Sequence, residues 1–315
     1  MKYTVGELFA GIGGIGLGFQ QAGFELFWAN EIDERACLTY SKNFTHKIIN
    51  EDIKLISTKS LDHVDVITAG FPCQAFSIAG YRKGFSDERG SLFFDIIRFL
   101  RDIRPKVLFL ENVKNLLSHN NGQTYRTIQE TLITAGYYTC SKVLNTLEYS
   151  NIPQNRERLY IVCFRNENFA KNFTFPLQQH GIMDIHDLLD TNVDEKYFYT
   201  NNKLNTVLKE TITDSNTFYQ WRRKYVRTNK NRVCPTLTAN MGTGGHNVPL
   251  ILDKNQKIRK LTPRECARFQ GFPDSFVLPE QLPDSALYKQ IGNSVTVPVI
   301  KAIANCIMKV LDEKN

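Results

Sequence analysis

The chain has no C-x-x-C pair, no histidine cluster, no low-complexity tract and no internal repeat. Its seven cysteines (Cys37, Cys73, Cys140, Cys163, Cys234, Cys266 and Cys306) are odd in number and scattered. That argues against a disulfide framework and fits free thiols in a reducing, cytoplasmic compartment. The six histidines are equally dispersed, so no protein-held metal is expected. No apolar run approaches the roughly 20 residues of a spanning helix. The first residues, Met1-Lys2-Tyr3-Thr4, lack the apolar core of a signal peptide. A membrane protein and a secreted disulfide scaffold are thereby set aside.

What is present is an ordinary globular composition, 42% hydrophobic and 23% charged over 315 residues, enough for one large domain and a smaller one. The net charge of +7 is unevenly spread. From Lys196 to Arg264 there are 14 Lys/Arg against 3 Asp/Glu, whereas the rest holds 25 against 29. A solvated surface accounts for a few such charges. A whole segment of one sign points to a polyanion partner such as nucleic acid.

The first 165 residues alternate strand-like and helical patterns. Strands are expected at Val5–Phe9, Glu25–Ala29, Lys47–Asn50, Val64–Ala69, Lys106–Leu110 and Leu159–Phe164. In Ser91–Ile103 the residues Leu92, Phe93, Ile96, Ile97, Leu100 and Ile103 recur at spacings of three and four, which predicts an amphipathic helix. Gly23 and Gly136 stand where helices should stop. Together these predict an α/β fold, a Rossmann-like doubly wound and mostly parallel sheet with helices on both faces. The pattern dissolves after Phe173-Thr174-Phe175-Pro176, and a smaller, irregular domain is expected to follow. A final helix, Val297–Val310, is expected to pack back on the first domain. The boundaries drawn are 1–178 with 276–315, and 179–275.

In an open parallel sheet ligands bind beyond the carboxyl ends of the strands. Each chemically suggestive residue of the first half falls at such a place. Ala10-Gly11-Ile12-Gly13-Gly14-Ile15-Gly16 follows the first strand, where glycines allow close backbone approach and open a helix. Asn30-Glu31 follows the second, at the usual distance for a carboxylate on ribose hydroxyls, and Asp52-Ile53 follows the third. Gly70-Phe71-Pro72-Cys73-Gln74-Ala75-Phe76-Ser77 follows the fourth, and Glu111-Asn112-Val113 the fifth. A cysteine behind a proline at a strand end suits an activated thiolate, although a lone cysteine is more often a small buried hydrophobe. Gly11, Gly13 and Gly16 also satisfy the dinucleotide fingerprint, so NAD stays open at this point. Glu31 or Glu111 alone would pass for a helix cap or an ion-pair partner. In Gln154-Asn155-Arg156-Glu157-Arg158, alternation puts Gln154, Arg156 and Arg158 on one strand face, either solvated or aimed at a phosphate or a base carbonyl.

With these elements in this order the chain resembles the C5-cytosine DNA methyltransferases of bacterial restriction-modification systems. The resemblance covers nearly the whole chain. It takes in Phe9-Ala10-Gly11-Ile12-Gly13-Gly14, Glu31, Gly70–Ser77, Glu111-Asn112-Val113 and Gln154-x-Arg156-x-Arg158. It continues with Arg264-Glu265-Cys266-Ala267-Arg268-Phe269-Gln270-Gly271-Phe272-Pro273 and Gly292-Asn293-Ser294-Val295.

The resemblance implies S-adenosylmethionine as methyl donor, held by Phe9, Gly11, Gly13, Glu31, Asp52, Ile53, Pro72, Asn293 and Ser294. It implies Cys73 as the nucleophile on C6 of a flipped-out cytosine and Glu111 as the carboxyl at N3. Arg158 would steady the base, with Arg156 nearer phosphate. The loop Ala79–Ser91 would close over the base, with Arg82, Lys83 and Arg89 on the backbone. The basic segment becomes a target-recognition domain, with DNA contacts at Arg222, Arg223, Arg227, Thr236 and Gly244. It resembles segments that read short GC-rich palindromes with a CCGG or CCNGG core. Double-stranded DNA is the expected partner of a monomer that can stand alongside a cognate restriction endonuclease. The alternatives weighed are an RNA cytosine methyltransferase of the same family, a non-catalytic DNA-binding protein, and an NAD-dependent oxidoreductase. The last leaves Cys73, the arginines and the basic segment without a role.

Overall fold

Short apolar runs become strands here because both of their faces are covered, and the runs are correspondingly unbroken. The strands are β1 (Thr4–Leu8), β2 (Glu25–Asn30), β3 (Lys47–Ile49), β4 (Val66–Gly70), β5 (Val107–Val113), β6 (Tyr138–Asn145) and β7 (Glu157–Phe164). They form one sheet in the order β3-β2-β1-β4-β5-β7-β6. β1, β2, β3, β4 and β5 pair parallel, and β7 runs antiparallel to β5. This is the mostly parallel α/β sheet that the sequence predicts. The order reverses between β1 and β4, so the open crevice of such a sheet lies beyond their carboxyl ends.

The computed structural model describes residues 2–72, 91–200, 204–222, 224–229, 231–243 and 247–313. It contains two compact units. The first comprises Met1–Leu144, Glu157–Leu177 and Pro298–Asn315, the second Asn145–Arg156 and Gln178–Val297. The expected boundary at 276 thus falls inside the second unit, while the end of the chain belongs to the first.

In the first unit, helices α1 (Gly14–Gln21), α2 (Glu34–Ser41), α3 (Ser91–Ile103) and α4 (Gln123–Thr134) connect the strands. α3 buries Phe93, Ile96, Ile97, Phe99, Leu100 and Ile103; Phe99 joins the stripe that the spacing suggests, and Leu92 is only half-buried. The helix Val297–Asp312 buries Val299, Ile300, Ile303 and Ile307. By length and composition the stretch Asp284–Asp312 does reach that of a membrane span, with an 18-residue window of mean hydropathy 1.5, where the sequence reading expects none. The burial of its apolar side chains is what gives it that composition.

The second unit holds a four-stranded sheet in the order β11-β10-β8-β9, built from β8 (Tyr219–Trp221), β9 (Val226–Thr228), β10 (Leu250–Leu252) and β11 (Ile258–Lys260). Each strand is only three residues long, too short for an alternation to stand out in the sequence. Its core gathers Leu208, Ile212, Tyr219, Leu250, Leu252 and Ile258.

Candidate active site

At the end of β1 the chain turns through three left-handed residues, Phe9 (φ 54), Gly11 (φ 57) and Gly13 (φ 85). Phe9 is the unusual one, because a side chain with a Cβ rarely adopts that region. A Cβ on Gly13 would lie 2.3 Å from the Phe44 ring, so this glycine is needed for packing. A Cβ on Gly11 would meet nothing within 4 Å, so its other side is open space.

Glu31, one residue past β2, holds that turn. Its Oε2 accepts the Gly11 N–H at 2.8 Å, and its Oε1 accepts the N–H groups of Ile32 and Asp33, each at 2.9 Å. Asn30 donates from Nδ2 to the carbonyls of Ile49 (3.0 Å) and Glu51 (2.7 Å). It thereby pins the exit of β3, where Asp52 and the buried Ile53 follow. Asp52 Oδ1 caps the next turn by accepting the Lys54 N–H at 3.0 Å. Phe9, Gly11, Gly13, Glu31, Asp52, Ile53 and Pro72 all belong to the first unit. Asn293 and Ser294 belong to the second, at the end of the helix Asp284–Asn293.

Beneath the turn lies a group that the sequence reading passes over. Glu7, on β1, is 1% exposed. Its Oε1 accepts the Gly16 N–H at 2.7 Å and its Oε2 the Tyr40 hydroxyl at 2.5 Å, and Tyr40 meets His46 Nε2 at 2.6 Å. Burial raises the Glu7 carboxyl to about 7, with the two hydrogen bonds pulling the other way. Burial likewise lowers His46 and raises Tyr40, the latter helped by the Glu7 charge.

Gly70 on β4 stands opposite Glu111 on β5. The Glu111 carboxyl is buried, and Oε1 receives Arg158 Nε at 3.0 Å from β7. Asn112 Nδ2 donates to the Phe71 carbonyl at 2.9 Å, and its Oδ1 accepts the Val113 N–H at 2.8 Å. The main chain is thus held at Phe71, and Pro72 follows, exposed. Cys73 itself, with Arg82, Lys83, Arg89, Arg223, Gly244 and nearly all of the expected lid, lies outside the described residues.

Gln154, Arg156 and Arg158 do not share a strand face. β7 begins only at Glu157, and the residues before it are bonded to the second unit, where the Asn155 N–H donates to the Cys234 carbonyl at 2.9 Å. Arg156 is 2% exposed. Its guanidinium donates to the carbonyls of Leu237 (2.7 Å), Gly292 (3.4 Å) and Ser294, where the sequence reading puts a phosphate. A guanidinium sunk this deep needs acceptors in place of water, and main-chain carbonyls supply them. It ties the chain around Leu237 to the end of the helix that carries Asn293.

The basic segment forms the wall of a cavity of about 870 Å³ in the second unit. Arg222, Arg227 and Thr236 line it together with Gln220, Asn155 and Asn240; among the described residues none that lines it is acidic. The Thr236 hydroxyl donates to the Asn155 carbonyl at 2.6 Å. Among the described residues no group of three or more His, Cys, Asp or Glu could hold a metal.

Comparison with known proteins adds a second line. The family model for C-5 cytosine-specific DNA methylase matches residues 3–309. The chain is 54% identical over 311 residues to the type II methyltransferase M.Bsp6I of Bacillus sp. (strain RFL6), covering 97% of this chain and 98% of that one. It is 40% identical to M.HhaI of Haemophilus parahaemolyticus, covering 95% and 92%. Among solved structures, the Entamoeba histolytica methyltransferase EhMeth superposes with a TM-score of 0.76 at 22% identity, over 99% of this chain and 100% of that one. Spodoptera frugiperda DNMT2 does so at 0.75 and 20%, over 98% and 100%. At those identities they speak for the fold alone. The sequence relatives and the family match carry the assignment further, and the chain belongs to the C-5 cytosine-specific DNA methylases, enzymes that methylate cytosine in DNA.

Proposed function

We propose that the protein transfers a methyl group from S-adenosylmethionine to C5 of a cytosine extruded from a short, specific duplex site, through a covalent bond between Cys73 Sγ and C6. The observation that carries this reading is the Asn112 clamp on Phe71. It delivers the chain to Cys73 from a fixed point, beside a buried Glu111 held by Arg158.

The turn from Phe9 to Gly13 fits the methyl donor. The space beside Gly11 is what a Cβ would fill, and Glu31 keeps the turn open with three main-chain hydrogen bonds. When bound, S-adenosylmethionine supplies an electrophilic methyl group. Cys73 as thiolate adds to C6, and Glu111, protonated for this step, donates to N3, where negative charge would otherwise collect. Once C5 carries the methyl group, a water molecule takes the C5 proton, and departure of the Cys73 thiolate from C6 restores the aromatic ring. Arg158 keeps Glu111 aimed, and the second unit presents the DNA, since a stacked cytosine is out of reach. The reading places the enzyme in the cytoplasm with duplex DNA.

A duplex carrying 5-fluorocytosine at the target tests the covalent step, because fluorine cannot leave as a proton does. The wild type should be trapped on it and Cys73→Ser should not. Trapping by the serine variant overturns the nucleophile. Faster methyl transfer to tRNA than to any duplex would move the substrate from DNA to RNA. Calorimetry with S-adenosylmethionine and NAD tests the cofactor.

A further inference from the structure

α3 carries a polar stripe beside its apolar one. Asp95, Arg98 and Asp102 follow one another at spacings of three and four, so they share one face of the helix. That face meets the segment after β3. The Arg98 guanidinium donates from Nη1 to the Ile56 carbonyl at 2.8 Å and from Nη2 to the Ile53 carbonyl at 2.6 Å. Nη2 also meets Asp95 Oδ1 at 3.3 Å, and the guanidinium carbon lies 4.8 Å from the centre of the Phe99 ring. One turn on, Asp102 Oδ2 accepts the Thr58 hydroxyl at 2.5 Å. Burial raises the Asp95 carboxyl, Arg98 pulls it back, and the charge of Asp52 adds to the rise.

The main chain held in this way forms a turn. The Leu55 N–H donates to the Asp52 carbonyl at 2.9 Å, and the Ile56 N–H to the Ile53 carbonyl at 3.3 Å. The side chains of Ile53 and Ile56 are buried, while Glu51, Lys54, Leu55 and Ser57 are exposed. So open a turn keeps one conformation where its main chain is tied down. Asn30 ties it at Glu51 from β2, and Arg98 ties it at Ile53 and Ile56 from α3. Asp52 supplies a carboxylate acceptor, and no described residue accepts the N–H of Ile53 beside it. An acceptor next to a donor complements the edge of adenine, whose N6 amino group donates and whose N1 accepts.

We propose that Arg98 is a positioning residue for the methyl donor: by fixing the carbonyls of Ile53 and Ile56 it holds Asp52 and the Ile53 N–H at the spacing that reads adenine. The inference rests on the cofactor reading above and deepens it. Arg98 acts through the turn, sparing the donor the cost of ordering it on binding.

The test is calorimetry with S-adenosylhomocysteine and S-inosylhomocysteine on the wild type, Arg98→Met and Arg98→Lys, with cooperative urea unfolding to report that each is folded. Inosine reverses the edge, with a carbonyl at C6 and a proton on N1, so its compound gains nothing from the turn. The wild type should therefore prefer the adenine compound by at least about tenfold. Arg98→Met keeps the apolar stem and loses the fork. A turn then ordered about a tenth of the time weakens the adenine compound about tenfold. The inosine compound should lose much less, so the preference shrinks. Arg98→Lys, with a point donor in place of the fork, should fall between the two. KM for S-adenosylmethionine should rise with the loss of adenine affinity, and kcat at saturation should change far less. Variants that keep the full preference, whether both compounds lose affinity equally or neither does, show that Arg98 only supports the fold and overturn the inference. A wild type without the preference overturns it too. Should Arg98→Met fail to fold, the lysine variant decides alone on the same ratio. A wild type that binds neither compound overturns the cofactor reading itself, a result distinct from an equal loss.

Discussion

Asn112 reaches across from β5 to hold the Phe71 carbonyl at 2.9 Å, two residues before Cys73. One side chain thus couples the strand bearing Glu111 to the segment that leads into the proposed nucleophile. Asn112 is itself fixed, because its Oδ1 is committed to the Val113 N–H. Nucleophile and carboxyl therefore start from a shared anchor.

Asn112→Asp removes the donor and keeps the shape. Loss of register of about 1 Å at a reacting group costs up to about 100-fold in rate, so turnover should fall by about 10- to 100-fold. The equilibrium affinity for S-adenosylmethionine should fall much less than turnover, since of the residues expected to hold the donor only Pro72 adjoins the clamp. Single-turnover kinetics beside calorimetry check this. Unchanged turnover would mean that Pro72 alone holds the chain.

Gly11 and Gly13 should separate packing from binding. Gly13→Ala puts a Cβ into Phe44 and Tyr40 at a left-handed residue, and should lower stability by about 2–4 kcal/mol. Gly11→Ala carries only the left-handed cost, about 1–2 kcal/mol, because nothing surrounds its Cβ. If that space is where the cofactor's atoms sit, Gly11→Ala should still weaken S-adenosylmethionine binding at least about tenfold by displacing them. Urea midpoints and binding titrations on both variants test the pair. A Gly11→Ala enzyme with wild-type affinity would remove the turn from the cofactor site.

Much of the fold is legible in the sequence. β1, β4 and β5 announce themselves because both faces are buried, and α3 because its stripe repeats. β6 gives no such signal. Tyr138–Asn145 is an edge strand with a polar, half-exposed sequence, so no apolar run marks it. The Gln154-Arg156-Arg158 alternation misleads for a related reason: periodicity reports a face only inside one continuous strand. Here the chain passes from one unit to the other between Arg156 and Glu157. Asn112 and Glu7 act through long-range hydrogen bonds, 41 and 33 residues apart in sequence, and no local pattern encodes those.

The second unit depends on a buried ion pair. Arg259 meets Glu265 through two bonds, 2.8 and 2.7 Å, with both side chains almost fully buried, and Glu265 also closes the capping box with Thr262. Removing one partner leaves an uncompensated charge, so Arg259→Leu should cost about 3–5 kcal/mol. The loss should appear as a lower melting temperature and as loss of DNA binding, with the S-adenosylmethionine site less affected. A variant as stable as the wild type would show that water compensates Glu265.

Glu7 gives the protein a stability slope of unusual sign. Its carboxyl rises from the ordinary 4.5 to about 7 on folding, because burial penalises the charged form. Between those values the native state keeps a proton that the unfolded chain has lost. The group's contribution is therefore fully present below about pH 4.5 and is lost as pH rises through about 7, a change on the order of 3 kcal/mol. His46 works in the opposite sense, since burial lowers it and the folded state gains as the unfolded imidazole loses its proton. Comparison of the wild type with Glu7→Gln cancels the histidine. The amide keeps a carbonyl for Gly16 and presents its NH₂ toward Tyr40, so the variant should match the wild type near pH 5 and exceed it at pH 8 by about 2–3 kcal/mol. Urea unfolding midpoints measured from pH 5 to 8 decide it. Two parallel curves would mean that Glu7 is charged throughout, held ionised by Gly16 and Tyr40 against its burial.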